Sequence, residues 1–191
     1  MKVPVAVSAR HLHLSQKDLD ILFGAGYQLT YKKELSQPGQ YACNERVEVI
    51  GSKGSLTMTI LAPLRPDTQV EMSVTDARKI GIDVFARDSG DIKGSAGATL
   101  KGPKGEIEIK EGVIIAKRHI HMSPAEAESI GIKDKDHVDV LIEGEDDRGL
   151  ILKHVLIRTN PDFSADMHID TDEGNAAGVY NGGFGTVIVN K

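Results

Sequence analysis

Short runs of alternating apolar and polar residues recur along the whole chain, and this period-two pattern predicts a protein built mainly of β-strands. The runs fall at residues 3–7, 46–50, 55–61, 106–109, 113–116, 137–142, 151–158 and 186–189. Between them lie Gly51-Ser52-Lys53-Gly54, Gly102-Pro103-Lys104-Gly105 and Gly144-Glu145-Asp146-Asp147, which read as hairpin turns. Helices are few and short. Ser15 is positioned to cap one that runs through Leu19 and Leu22 to Gly24, and Thr75 to cap one that ends near Gly81. Ser123 has the fullest signal, with Pro124 at the first helical position and Glu126 completing a capping box. Residues 171–178 read as a further short capped turn with an acidic start.

Two internal echoes organise these elements. Val7-Ser8-Ala9-Arg10-His11-Leu12-His13-Leu14-Ser15 recurs as Ile115-Ala116-Lys117-Arg118-His119-Ile120-His121-Met122-Ser123. In both copies a strand leads through Arg-His-apolar-His to a serine-capped helix. The stretch Ala77-Arg78-Lys79-Ile80-Gly81-Ile82 is likewise echoed by Ala127-Glu128-Ser129-Ile130-Gly131-Ile132. The duplication predicts two similar β-barrels, each capped by short helices. The unequal offsets of the echoes mean that the copies are not in simple tandem, which allows one barrel to exchange strands with the other.

Composition narrows the class. The 191 residues are 40% hydrophobic, enough for a real core, with only 4% aromatic residues and no Trp. The 23 Lys and Arg nearly balance 28 Asp and Glu, which argues against a nucleic-acid partner, whose backbone is gripped by clustered positive charge. No apolar stretch reaches membrane-spanning length, and the start shows no basic segment followed by a long apolar one. The single Cys43 excludes an internal disulfide and favours a reducing, cytoplasmic setting.

The histidines carry the candidate chemistry. Five of seven fall in three clusters, His11 with His13, His119 with His121, and His168 within Asp166-Met167-His168-Ile169-Asp170. Residues two apart on a strand share a face, so each His-x-His pair presents two imidazoles side by side, an arrangement suited to zinc. Two pairs plus His168 exceed one three-ligand site. They leave two metals, the preferred reading, or one metal with a second cluster for acid–base work. His137 and His154 lack a partner at ligand spacing and read as structural or surface residues. Cys43, in a loop containing Pro and Gly, reads as a passive small residue. Arg65 and Glu71 lie close in sequence just before the Thr75-capped helix. Arg65 suits a planar anion and Glu71 a metal, although composition alone favours a surface ion pair. The glycine-rich stretches 89–97 and 181–185 match neither phosphate-binding fingerprint and read as turns.

The segments SARHLHLS, ELSQPGQYACNERVEVIG, LRPDTQVEMS, RDSGDIKGS, AKRHIHMSP and MHIDTDEGNAAG, in this order from the first strand to Gly178, resemble those of the phosphate propanoyltransferases. These are zinc-dependent acyltransferases associated with propanediol utilisation. The resemblance implies two β-barrel domains with interleaved strands, one formed by residues 10–116 with 24–44 as a protruding dimer-contact segment, the other by 1–9 plus 117–191. It implies a homodimer with two zinc ions per chain, exchanging acyl-CoA and phosphate for acyl phosphate and coenzyme A in either direction. Carried onto this chain, His11, His13 and Glu71 would hold one zinc, and His119, His121 and His168 the other. Arg65 would steer phosphate and Ser89 would contact the coenzyme. Thr57-Met58-Thr59-Ile60 and Ala62 occupy a stretch where relatives often carry an Arg and a Gly, which puts the acyl preference in question. No microcompartment-targeting peptide precedes Val3, which favours a free cytoplasmic enzyme. The rival functions are a zinc-dependent thioester or phosphoester hydrolase and a non-catalytic metal-binding barrel protein.

Overall fold

The computed structural model describes residues 1–189. In chain order, β1 (Lys2–Ser8) and β2 (His11–His13) lead to α1 (Gln16–Phe23), and β3 (Tyr31–Glu34), β4 (Tyr41–Ile50), β5 (Ser55–Ala62) and β6 (Gln69–Glu71) lead to α2 (Val74–Ile80). Next come β7 (Ala86–Arg87), β8 (Ala96–Lys101), β9 (Glu106–Ala116) and β10 (His119–Met122), then α3 (Pro124–Ser129). The chain ends with β11 (His137–Ile142), β12 (Leu150–Thr159), β13 (Asp166–Asp170), α4 (Thr171–Ala177) and β14 (Gly183–Ile188). The expectation of a mainly β chain with short capping helices holds.

Two compact units divide these elements. One comprises Met1–Ser8, Ser36–Pro38 and the chain from Lys117 onward; the other comprises Ala9–Leu35 and Gly39–Ala116. The first is a closed barrel in the order β1-β13-β10-β12-β11-β14, sealed by β14 against β1. In the second, β4-β5-β2-β6-β9-β8 run in sequence and β8 pairs back with β4, so this sheet also closes on itself, while β3 adds to β4 and β7 to β9. Closure matters for such short strands, because it leaves few unpaired edges.

Alternation decides which side chains fill each barrel. Val3 and Val5 on β1, and Val138, Val140 and Ile142 on β11, point inward with Ile120, Met122 and Ile157. Leu56, Met58, Ile60 and Ala62 on β5 do the same in the second unit, against Leu12, Leu14, Val70 and Val113. Each fully buried aliphatic side chain contributes about 1.5–3 kcal/mol by leaving water, so these two clusters are what hold the barrels together.

The helices seat on hairpins. Leu19, Leu22 and Phe23 are the buried face of α1, and the Leu22 carbonyl at its end accepts from Lys104 N in the 102–105 turn at 3.0 Å. The Ile80 carbonyl at the end of α2 accepts from Lys53 N in the 51–54 turn at 2.9 Å. Glycine is required at both turns by closeness: a Cβ at Gly102 would lie 2.5 Å from the Leu22 oxygen, and one at Gly51 would lie 2.3 Å from the Ile80 oxygen.

Several local expectations need correction. Ser73, not Thr75, caps α2: its hydroxyl accepts from Asp76 N, which places Thr75 inside the first turn. Residues 106–109 and 113–116 form one strand, β9, in which Gly112 takes a φ of 128°. Cys43 lies in β4 and is fully buried, since the strand extends well upstream of residue 46. Gly183, Phe184 and Gly185 belong to β14 rather than to a turn.

Candidate metal centres

Each candidate ligand sits where a short strand gives way to a capped helix. His13 lies two residues before Ser15, His121 two before Ser123, Glu71 two before Ser73 and His168 two before Asp170, and each of these four caps accepts a backbone N–H of its helix. An extended backbone up to the cap turns residues two apart to one face. The rings of His119 and His121 are accordingly 4.7 Å apart and those of His11 and His13 5.6 Å.

Register supplies the third member of each set. β10 lies between parallel β12 and antiparallel β13, which puts His168 directly opposite His119 and Asp166 opposite His121. β2 lies between parallel β5 and antiparallel β6, which puts Glu71 opposite His11 and Gln69 opposite His13. The duplication visible in the histidine motifs thus extends to the neighbouring strands, although those strands share little sequence.

In the unit that contains β10, His119, His121 and His168 each offer one nitrogen, and these lie within 4.8 Å of one another. Among the described residues no other group of three possible ligands converges so closely. His119 Nδ1 lies 2.8 Å from the Lys117 carbonyl; a donating N–H there leaves the lone pair on Nε2. His121 Nδ1 is buried with no hydrogen-bond partner, an atom that a metal would satisfy. Burial, then the nearby His119, His168 and Arg158, push the His121 pKa down to about 2, so the ring is neutral and competent to ligate near pH 7. His168 Nε2 lies 2.8 Å from Asp166 Oδ2 and 3.3 Å from Ser36 Oγ, and Phe163 packs on the His121 ring at 4.4 Å between centroids. The three imidazoles therefore fit zinc by donor type and by their convergence.

The other unit brings His11, His13, Glu71, Arg65 and Ser89 together but does not converge its three candidate ligands to the same degree. His11 Nε2 is 3.5 Å from Glu71 Oε2. Glu71 Oε1 instead accepts from Gln69 Nε2 and from the Ser89 hydroxyl at 2.8 Å, with an Arg65 nitrogen 3.9 Å away. Ser89 also accepts from Arg65 at 3.3 Å and from Gln69 at 3.0 Å, while Gln69 Oε1 accepts from Gly90 N at 2.8 Å. Burial opposes the charge on Glu71, but His11, the Ser89 hydroxyl and Arg65 outweigh it and hold the carboxyl below its usual range. His13 is pushed down to about 4 by burial, Arg65 and His11, against the pull of Glu71 and of the Pro63 carbonyl. His11 Nδ1 lies 2.9 Å from the Ala9 carbonyl, the counterpart of the His119–Lys117 contact. Two imidazoles and an ionised carboxylate are a donor set that suits zinc.

A second pair of matched contacts braces both sets. Arg10, just before His11, contacts both carboxylate oxygens of Asp76 at 2.9 and 3.1 Å. Arg118, just before His119, reaches Glu173 at 3.0 Å. Asp76 and Glu173 occupy the same place in the first turns of α2 and α4, so each arginine ties its histidine strand to the helix that follows the third candidate ligand.

Gln69, Asp166 and these arginine contacts were not foreseen from sequence. A usable signal existed: Gln69-Val70-Glu71-Met72-Ser73 and Asp166-Met167-His168-Ile169-Asp170 share the order polar, apolar, ligand, apolar, cap. The remaining candidates stay apart from the chemistry. The His137 and His154 rings come within 6.2 Å of each other, but both residues are exposed. Burial, then the charge of Glu45, push the Cys43 thiol up to about 11, which suits neither a nucleophile nor a thiolate ligand. No helix among the described residues is long and apolar enough to cross a membrane.

Comparison with known proteins shows the family. Its model, described as phosphate propanoyltransferase, matches residues 4–180. The chain is 53% identical over 174 residues to a phosphate propanoyltransferase of Thermotoga maritima, covering 91% of this chain and 82% of the relative. It is 53% identical over 184 residues to one from Priestia megaterium, covering 96% and 84%, and 51% identical over 180 residues to one from Salmonella typhimurium, covering 94% and 85%.

Proposed function

Because the chain belongs to the phosphate propanoyltransferase family, we propose that it exchanges the acyl group of a short-chain acyl-CoA, propanoyl-CoA or acetyl-CoA, onto phosphate, and catalyses the reverse. The observation that carries this reading is the match over residues 4–180, which includes every candidate ligand. The convergence of His119, His121 and the half-buried His168 supports its metal dependence.

His11, His13 and Glu71 are proposed to hold one zinc ion, and His119, His121 and His168 a second. Bound zinc supplies a Lewis acid for the thioester carbonyl and for the departing thiolate. Arg65 is assigned to the incoming phosphate: its guanidinium is part-exposed, and its planar fork matches phosphate oxygens. Ser89 is assigned to the coenzyme. Its hydroxyl is pinned by Glu71, Gln69 and Arg65, so the loop that carries it is fixed before substrate arrives. In the reaction a phosphate oxygen forms a bond to the thioester carbonyl carbon, the C–S bond breaks, and coenzyme A leaves as thiolate. No acyl-enzyme is needed, in keeping with the buried, high-pKa thiol of Cys43.

The same reading includes a cytoplasmic homodimer that uses residues 24–44 as its contact segment and takes acyl-CoA and phosphate as its partners. Sedimentation of the wild-type protein beside a variant altered in the exposed strand β3 tests the dimer. For the activity, coenzyme A release from propanoyl-CoA is followed with and without phosphate. Release that requires phosphate is expected. Equal release without phosphate would make the protein a thioester hydrolase, and no release under either condition would leave a non-catalytic metal-binding barrel protein.

A further inference from the structure

Gln69 and Asp166 hold the same place in the two duplicated halves. Each stands two residues before the third candidate ligand, each lies opposite the second histidine of its pair, and each is almost wholly buried, at 2% and 4% exposure. Each also touches that third ligand: Gln69 Nε2 donates to Glu71 Oε1, and His168 Nε2 lies 2.8 Å from Asp166 Oδ2.

The chemistry of the two positions is exchanged between the halves. In one, a neutral amide supports a carboxylate ligand; in the other, a carboxylate supports an imidazole. Each set of side chains thus contains one carboxylate, in the ligand position in one case and behind it in the other. Three neutral imidazoles carry no charge to offset a divalent cation, whereas a ligating histidine whose other nitrogen donates to a carboxylate becomes more basic and is fixed in tautomer and orientation.

We propose that Asp166 is a positioning residue of the three-histidine centre. Its carboxylate takes the Nε2–H of His168, which fixes the tautomer with the lone pair on Nδ1 and gives this centre the single negative charge that Glu71 gives the other. The inference rests on the zinc-ligand reading above. It does not depend on which acyl group is carried. Ser36 Oγ, at 3.3 Å, is the weaker partner of the same nitrogen, and Asp166 dominates by distance and charge.

The test is zinc affinity measured by competition with a fluorescent chelator, in a background of His11→Ala and His13→Ala that isolates the three-histidine centre. Asp166→Asn keeps the shape and an acceptor oxygen but removes the charge. It is expected to weaken zinc binding about 10- to 100-fold, the usual cost of losing such a partner, with an unchanged circular dichroism spectrum. In the metal-free wild-type protein, ¹⁵N chemical shifts are expected to show the His168 proton on Nε2, a readout that requires no variant. Affinity within about twofold of the parent, or a His168 proton on Nδ1, would overturn the role of Asp166. A control with His119→Ala and His121→Ala separates the two claims. If that control loses one zinc while Asp166→Asn loses none of its affinity, only the role of Asp166 falls; if the control keeps both zinc ions, the ligand assignment falls and takes this inference with it.

Discussion

His119 and His168 stand directly opposite each other on antiparallel strands β10 and β13, with ring centroids 5.2 Å apart. His11 and Glu71 hold the same relation across β2 and β6. In each barrel, then, the local His-x-His pair is joined by a residue that arrives through strand register rather than through sequence spacing, and this explains why the two candidate sets can differ in chemistry while sharing one register.

The ligand assignment predicts metal content. The protein is expected to hold about two zinc ions per chain when two sets of three ligands each bind one. Replacing His119 and His121 with alanine is expected to remove one of them, as is replacing His11 and His13. Elemental analysis of dialysed protein checks this, and two zinc ions in either double variant would refute the corresponding set.

Arg65→Ala removes the guanidinium assigned to phosphate. Loss of a hydrogen bond to a charged group costs about 1.5–3 kcal/mol, which corresponds to a fall of roughly 10- to 100-fold in kcat/KM for phosphate. The KM for acyl-CoA is expected to change much less. Steady-state kinetics with each substrate varied in turn checks this, and an equal effect on both substrates would count against a phosphate-specific role.

Acid is expected to destabilise the metal-free protein. The folded-state pKa values of His13 and His121 are depressed from 6.5 to about 4 and about 2, so below about pH 6.5 the unfolded chain takes up protons that the native state refuses. The stabilisation is fully present above the unfolded value and falls as pH drops, by up to about 1.4 kcal/mol per pH unit for each histidine. The lowered Glu71 acts with the same sign below its ordinary value of 4.5. Denaturant midpoints at about pH 7 and about pH 5 measure the slope, and His121→Gln is expected to flatten it.

Two substitutions separate steric from electrostatic support. Gly102→Ala would place a Cβ 2.5 Å from the Leu22 carbonyl oxygen and is expected to cost about 1–3 kcal/mol at any salt concentration. Arg118→Met breaks the contact with Glu173, a partly exposed ion pair, and is expected to cost no more than about 1 kcal/mol, less in about 1 M salt. Thermal unfolding of both variants at low and high salt checks the contrast.

What the sequence made legible was local. The alternating runs, the serine caps at Ser15 and Ser123, the glycine hairpins and the two His-x-His pairs each rest on residues within a few positions of one another. The antiparallel neighbours of those pairs were not legible, because β6 has only three residues and β13 five, too few to show a period, and their pairing spans 45 or more positions. Glu71 and His168 were visible as candidate metal-binding residues, but their assignment to one His-x-His pair or the other rested on resemblance, and Gln69 and Asp166 were given no role. The placement of the α2 cap at Thr75 failed for a related reason: Ser73 and Thr75 are both good caps, and only the end of β6 at Glu71 decides between them.

The proposed reaction makes and consumes an acyl phosphate. The most direct test is ³¹P spectroscopy of the zinc-loaded protein incubated with propanoyl-CoA and inorganic phosphate. An acyl phosphate resonance is expected that grows in step with free coenzyme A and disappears when excess coenzyme A is added. Coenzyme A release with inorganic phosphate as the only phosphorus species besides the coenzyme would contradict it.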